Sequence, residues 1–186
     1  MANGDKELRR KRNIKCLIYI VAFVIIQTAI ILAFVLLVMR IRDPKVRFGT
    51  VTVENLNATS SSFNMVLNAQ VTVKNTNFGH FKFENSTATI SYRGTPVGQA
   101  VIAKARARAR STKKLNITVT VNSNKASADS HLGSDISSKK LTLTAHATLS
   151  GKIHLFKIMK KKKSAQMNCT MVVDTTTKAI ENLMCK

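Results

Sequence analysis

The chain has 186 residues, room for one domain and a short additional segment. It carries 30 Lys and Arg against 9 Asp and Glu, a net charge of +21, which implies an anionic partner: nucleic acid, acidic lipid or acidic polysaccharide. Two prolines and seven glycines argue against a disordered linker protein, and three cysteines are too few for a disulfide scaffold.

Residues 1–15 form a basic tail. Residues 16–39 are uncharged, and sixteen of them are Leu, Ile, Val or Phe. As a helix this run is roughly 36 Å long, more than a hydrocarbon core of about 30 Å. Its insertion energy is roughly −5 to −10 kcal/mol, which Gln27 and Thr28 cannot offset. A cleaved signal peptide has a shorter apolar region, about 7–15 residues, ending in small residues. Here the run ends Val38-Met39-Arg40-Ile41-Arg42. The reading is an uncleaved transmembrane helix, its length favouring a thick membrane such as the plasma membrane over the endomembrane alternative.

The N-terminal flank holds Lys6, Arg9, Arg10, Lys11, Arg12 and Lys15, against Arg40, Arg42, Lys45 and Arg47 on the other side. The positive-inside rule therefore puts the N-terminus in the cytosol and the rest of the chain outside the cell. Asn-X-Ser/Thr sequons at Asn57, Asn85, Asn116 and Asn168 all follow the apolar run and are glycosylation candidates. Cys16 falls at the cytosolic edge, where it is either an S-palmitoylation candidate or an ordinary interfacial cysteine.

Residues 40–47 read as a linker broken by Asp43-Pro44. From there to residue 186 the dominant period is two. Phe63, Met65, Leu67, Ala69, Val71 and Val73 alternate with polar neighbours. So do Ala88–Tyr92, Leu115–Val121, Leu141–Leu149 and Met167–Val173. Asn77-Phe78-Gly79, Arg93-Gly94-Thr95-Pro96 and Ser150-Gly151 read as turns. The prediction is a mainly β fold, an antiparallel sandwich of the immunoglobulin or fibronectin kind. A short helix is expected within Ala126–Ser137. A second short helix fits Thr175–Leu183, with Ala179, Ile180 and Leu183 on one side.

Lys104, Arg106, Arg108 and Arg110 alternate with alanines, so one strand would line up four cations on one face, about 7 Å apart. They are candidates for binding an anion; the alternatives are a solvated face or a charged edge strand that blocks aggregation. Lys160–Lys163 form a second cluster, read as a hairpin or turn. Cys169 and Cys185 could pair in an oxidising compartment, closing a loop of about 16 residues worth roughly 3 kcal/mol. In a reducing one both stay free. The four histidines have no ligand spacing, and no paired carboxylates, phosphate loop or nucleophile elbow is present, so neither a metal site, a cofactor nor an enzyme is expected.

The stretch Val71–Gly98, with Asn75-Thr76-Asn77 at its turn, resembles the central signature of the second subgroup of plant late embryogenesis abundant proteins. Within it, the chain is most similar to the membrane-anchored, harpin-induced-like branch. The resemblance covers nearly the whole chain, through the late strand opening Asn168-Cys169-Thr170. The family's usual Asn-Pro-Asn here lacks its Pro. Asn75 and Asn77 read as a structural turn, because Asn bonds nearby backbone and tolerates left-handed conformations. The resemblance implies a sandwich of about seven strands, no catalysis, and a role in stress tolerance or pathogen defence. The expected partners are the lipid bilayer and an acidic polysaccharide, acidic lipid or protein. The competing readings are a structural protectant of membranes during water loss and a cytosol-facing binder of anionic lipid or nucleic acid. Nucleic acid is disfavoured by the scarcity of aromatic platforms.

Overall fold

The computed structural model describes residues 2–38, 40–155 and 159–185, with side chains omitted for 2–12 and 38. Met39, Phe156 and Lys186, and the side chains of the basic tail before Asn13, lie outside the described residues. The chain divides into two compact units, Met1–Ile41 and Arg42–Lys186.

The first unit is one helix, α1 (Ala2–Val38), continuous from the basic tail into the apolar run. Its segment Asn13–Leu37 has a mean hydropathy of 3.0, and none of its most apolar stretch is buried by the protein. It is long and apolar enough to be a membrane anchor or a signal sequence. Thr28 Oγ1 donates to the carbonyls of Val24 (2.7 Å) and Ile25 (2.9 Å), so this hydroxyl is satisfied within the helix.

The second unit is β-rich. Its strands are β1 (Lys45–Ala58), β2 (Phe63–Lys74), β3 (His80–Phe83), β4 (Ser86–Tyr92) and β5 (Thr95–Ile102). Then come β6 (Ala105–Ala107), β7 (Thr112–Asn122), β8 (Lys140–Leu155), β9 (Met159–Asp174) and β10 (Ile180–Cys185). A 3₁₀ turn at Ser123–Ala126 and a short helix α2 (Leu132–Ser137) separate β7 from β8. All pairings are antiparallel. The order β1-β2-β7-β5-β4-β8-β3-β6, with β9 and β10 continuing from β8, makes one sheet that is nearly closed on itself. The mainly β, antiparallel expectation therefore holds, with both layers cut from a single sheet.

The period-two pattern explains the core. In β2 every odd residue from Phe63 to Val73 is buried and every even one is not. Met65, Val71, Phe81, Ile102, Leu141, Leu143 and Leu149 are completely buried. Tyr92 crosses the core with its ring and donates its hydroxyl to Asp135 Oδ2 at 2.7 Å, which ties α2 to β4.

Five local expectations change. Only Ala105–Ala107 of the Ala-cation repeat is strand. Its short partner β3 offers three residues of ladder, and Arg110 turns away with a left-handed φ of 50°. Lys160–Lys163 are not a turn but the start of β9, where β9 itself is largely exposed although its β8 partners Ile153 and Leu155 are buried. Ser150-Gly151 lies inside β8. A Cβ on Gly151 would collide with the Lys82 carbonyl of β3, so this glycine marks a close approach of two strands rather than a turn. Finally, the tail after Thr175 ends in strand β10 rather than a helix: the open edge of β9 supplies backbone partners that outweigh local propensity. The linker is also shorter than expected, since Pro44 and Val46 are already buried.

Candidate functional site

Four strands converge to build a cationic face. In register, Lys82 of β3 stands opposite Arg106 of β6 on one side and Lys152 of β8 on the other. Lys152 in turn stands opposite Lys162 of β9. With neighbouring strands about 4.8 Å apart, the row Arg106–Lys82–Lys152–Lys162 spans roughly 15 Å. All four side chains are exposed. The approach of β3 to β8 that sets Lys82 beside Lys152 depends on Gly151 having no side chain.

A second row lies one step along. His80 of β3 faces His154 of β8, which faces Lys160 of β9. The two imidazoles stack with centroids 5.1 Å apart and planes 8° from parallel. Partial burial, and then the nearby Arg106 and Lys82, hold His80 below the usual imidazole range. Partial burial, followed by Lys82, Lys160, Lys152 and Arg106, does the same for His154.

Like charges directly opposite in a ladder are destabilising. Among the described residues the ion pairs are Arg93–Asp135, His131–Asp129, Lys140–Glu181 and Lys163–Asp43, and none uses a member of the first row. Beside the row is an open depression of about 410 Å³ lined by Glu84, Ser150, Gly151, Lys152, Lys162 and Lys163. Glu84 is its one acid. The surface can attract and align a chain of anions. Among the described residues no three His, Cys, Asp or Glu side chains come together as a metal site.

Of the four cations singled out in the Ala-cation repeat, Arg106 alone joins this row. Lys104 lies just outside β6, its main-chain N–H donating to Asn85 Oδ1 at 2.7 Å. Arg108 is exposed, and its carbonyl accepts from Asn75 Nδ2 (3.0 Å) and Ser111 Oγ (2.9 Å). Arg110 sits over the Phe78 ring, 4.6 Å from its centroid. Sequence reasoning missed Lys82, Lys152, His80 and His154, because they form no run along the chain: His80 and Lys82 are two apart on β3, and Lys152 and His154 two apart on β8. Alternation could have put them on outward faces; only the register could put them side by side.

The two asparagines of the turn are buried, Asn75 at 1% and Asn77 at 4% exposure. Asn75 Nδ2 donates to the Gly79 carbonyl at 2.8 Å, and its Oδ1 accepts from the Asn77 N–H at 3.1 Å. Asn77 grips the first residue of the domain at both main-chain groups. Its Oδ1 accepts from the Arg42 N–H (2.6 Å), and its Nδ2 donates to the Arg42 carbonyl (2.7 Å). Neither bond needs the proline that usually separates two such asparagines.

Cys169 and Cys185 stand opposite one another across β9 and β10 and are joined by a disulfide. Cys16 is free and exposed on α1. Asn57, Asn85, Asn116 and Asn168 are all exposed. Besides Asn85, which accepts from the Lys104 N–H, two of them make side-chain bonds: Asn116 Oδ1 accepts from Gln70 Nε2 at 3.4 Å, and Asn168 Oδ1 lies 2.5 Å from His146 Nδ1.

Comparison with known proteins points to the family that the sequence resembles. A family profile described as late embryogenesis abundant protein (LEA_2) matches residues 70–171. A late embryogenesis abundant protein of Arabidopsis thaliana is 29% identical over 193 aligned positions, covering 99% of this chain and 90% of the relative. Among solved structures, a late embryogenesis abundant protein in solution is 12% identical, covers 82% of this chain and 89% of its own, and has a TM-score of 0.39. A second solution structure, from Arabidopsis thaliana, is 15% identical, with coverages of 72% and 84% and a TM-score of 0.41. A crystal structure of a protein from Archaeoglobus fulgidus is 13% identical, covers 66% and 94%, and scores 0.35. At such scores the structural likenesses carry no argument. The family profile spans more than half of the chain, and on that ground the chain belongs to the LEA_2 family of late embryogenesis abundant proteins.

Proposed function

We propose that this chain is a non-enzymatic, membrane-anchored interaction protein of the plant stress or defence response. The helix α1 holds it in the plasma membrane with the N-terminus in the cytosol, and the β domain faces the cell wall. The observation that carries the reading is the unneutralised row Arg106–Lys82–Lys152–Lys162. Repulsion across a ladder lowers stability, and a partner with regularly spaced anions would reverse its sign. In the cell wall that chemistry is an acidic polysaccharide. The Cys169–Cys185 disulfide supports an oxidising compartment, and the exposure of all four sequons is compatible with glycosylation.

Two measurements test it. Full-length protein should be retained by immobilised polygalacturonate at low salt and eluted as salt rises, because exposed charges are screened within about 10 Å at 0.1 M. A wild-type chain that flows through at low salt overturns the ligand class. Glycosidase treatment of protein from its native membrane should shift its mobility, and Asn116→Gln should remove part of the shift. Absence of any shift, with the domain open to protease from the cytosolic side, would invert the topology and favour the cytosol-facing reading.

A further inference from the structure

The strand registers bring one end of β1, β2, β3, β6, β7, β8 and β9 together. Lys45 pairs with Lys74, Lys74 with Thr112, His80 with His154, and Leu155 with Met159. This is the end at which the chain enters the domain, where Asn77 clamps Arg42 and Lys163 holds Asp43 at 2.8 Å. The apolar run ends at Met39, three residues before Arg42, so about 10 Å of chain at most lies between them.

That entry end has an unusual surface. Among the described residues beyond α1, the large exposed apolar side chains are Phe78 (42%), Val101 (66%), Met159 (39%) and Met184 (66%). Phe78 and Met159 are both here. The Phe78 ring is covered on one face by the Arg110 guanidinium at 4.6 Å. Arg110 holds this place on left-handed backbone, a conformation that residues other than glycine seldom adopt. The conformation is secured by its N–H donating to the Asn77 carbonyl at 3.0 Å. Arg42, Lys45, Lys74 and Lys160 are exposed around the pair. The domain's other acids lie elsewhere: Glu54 in β1, Glu84 just after β3, Asp129 before α2 and Asp135 within it, Asp174 opposite Lys140 at the far end of the β8–β9 ladder, and Glu181 in β10. The one acid at the entry end, Asp43, is already paired with Lys163.

We infer that this end is a docking surface for the phosphate-bearing headgroups of the bilayer from which the chain emerges, with Phe78 and Met159 entering the interface and Arg110 and its neighbouring cations meeting lipid phosphate. An aromatic ring with a polar, cationic partner matches the apolar-to-wet gradient of a headgroup layer. Juxtamembrane cations are attracted by anionic lipid and released by salt. The cations are concentrated at the end where the chain enters the domain, and only a short segment of chain separates that end from the apolar run. The inference rests on the anchoring role proposed for α1, but on neither the sidedness of the domain nor its polysaccharide ligand.

The test uses the full chain in lipid nanodiscs, with Cys16→Ser and a fluorophore at Ala109→Cys or, as the far-end control, at Ser130→Cys. Lipids spin-labelled at the headgroup should quench the probe at position 109 and not at 130. Quenching at 109 should increase when phosphatidylglycerol is added to phosphatidylcholine, and fall as salt rises. Phe78→Ser with Arg110→Glu should abolish it while leaving the melting temperature within a few degrees of the parent; Arg110→Lys should retain it. Equal quenching at the two positions, or quenching at 109 that survives the double substitution, overturns the docking surface. A chain that fails to enter the discs overturns the anchor and the docking surface together.

Discussion

Two outward faces of the same sheet have the same backbone geometry and opposite chemistry. On the β1–β2–β7 side the mid-strand face is a neutral ladder of Thr, Asn and Gln that bonds to itself. Thr118 Oγ1 donates to Asn68 Oδ1 at 2.7 Å, Gln70 Nε2 to Asn116 Oδ1 at 3.4 Å, and Thr72 Oγ1 to the Arg47 carbonyl at 3.0 Å. On the β6–β3–β8–β9 side the equivalent positions hold four cations in one row with no acid opposite them. The first face is satisfied by its own cross-strand neighbours and water. The second sets like charges opposite one another, which costs stability. A surface needed only for solubility would look like the first; the second matches the anionic partner proposed above.

Charge reversal should separate the two faces most sharply. Lys82→Glu, Lys152→Glu and Lys162→Glu together should weaken polygalacturonate binding by roughly a hundredfold at low salt, as attraction becomes repulsion. The single change Lys152→Glu, which sets an acid between two cations, should raise the melting temperature by roughly 2–4 °C while still weakening binding. A variant that loses stability and keeps binding would show that the row is structural.

A smaller effect is expected at the stacked histidines. Both are held below their ordinary pKa in the folded chain, so between the two values the unfolded chain binds more protons. Stability is therefore full above about pH 6.5 and declines as pH falls towards the folded values. Polyanion binding should move the other way, because protonation adds charge beside the row. His80→Asn with His154→Asn should flatten both profiles by a few-fold at most, measured by thermal melts and binding from pH 7 to about pH 5. Equal pH dependence in parent and variant would remove the pair from the site.

The smallest effect is expected on the neutral face. Asn68→Ala and Thr118→Val should each change stability by less than about 0.5 kcal/mol and leave polygalacturonate binding unchanged. Binding lost on these substitutions would mean that the ligand lies across both faces.

Much of this molecule is local and so was readable along the chain. Sixteen large apolar residues in an uncharged run make a helix in any context that lacks water. Strict alternation from Phe63 to Val73 makes a half-buried strand, because side chains on a strand point to opposite faces in turn. The Asn75-Thr76-Asn77 turn carries its own hydrogen-bonding groups, so its structural role was also legible. What the chain could not show was which residues become neighbours across strands. The Ala-cation repeat looked like a four-cation strand, yet three-residue pairing with β3 ended it at Ala107. Ser150-Gly151 looked like a turn until the nearness of β3 gave the glycine its purpose. The tail looked helical until β9 offered an edge. The row of Arg106, Lys82, Lys152 and Lys162 gathers residues as far apart as positions 82 and 162. Composition and periodicity determine that the cations are many and face outward; only the register of the closed sheet decides which of them stand together, because cross-strand contact is a property of pairing and not of order along the chain.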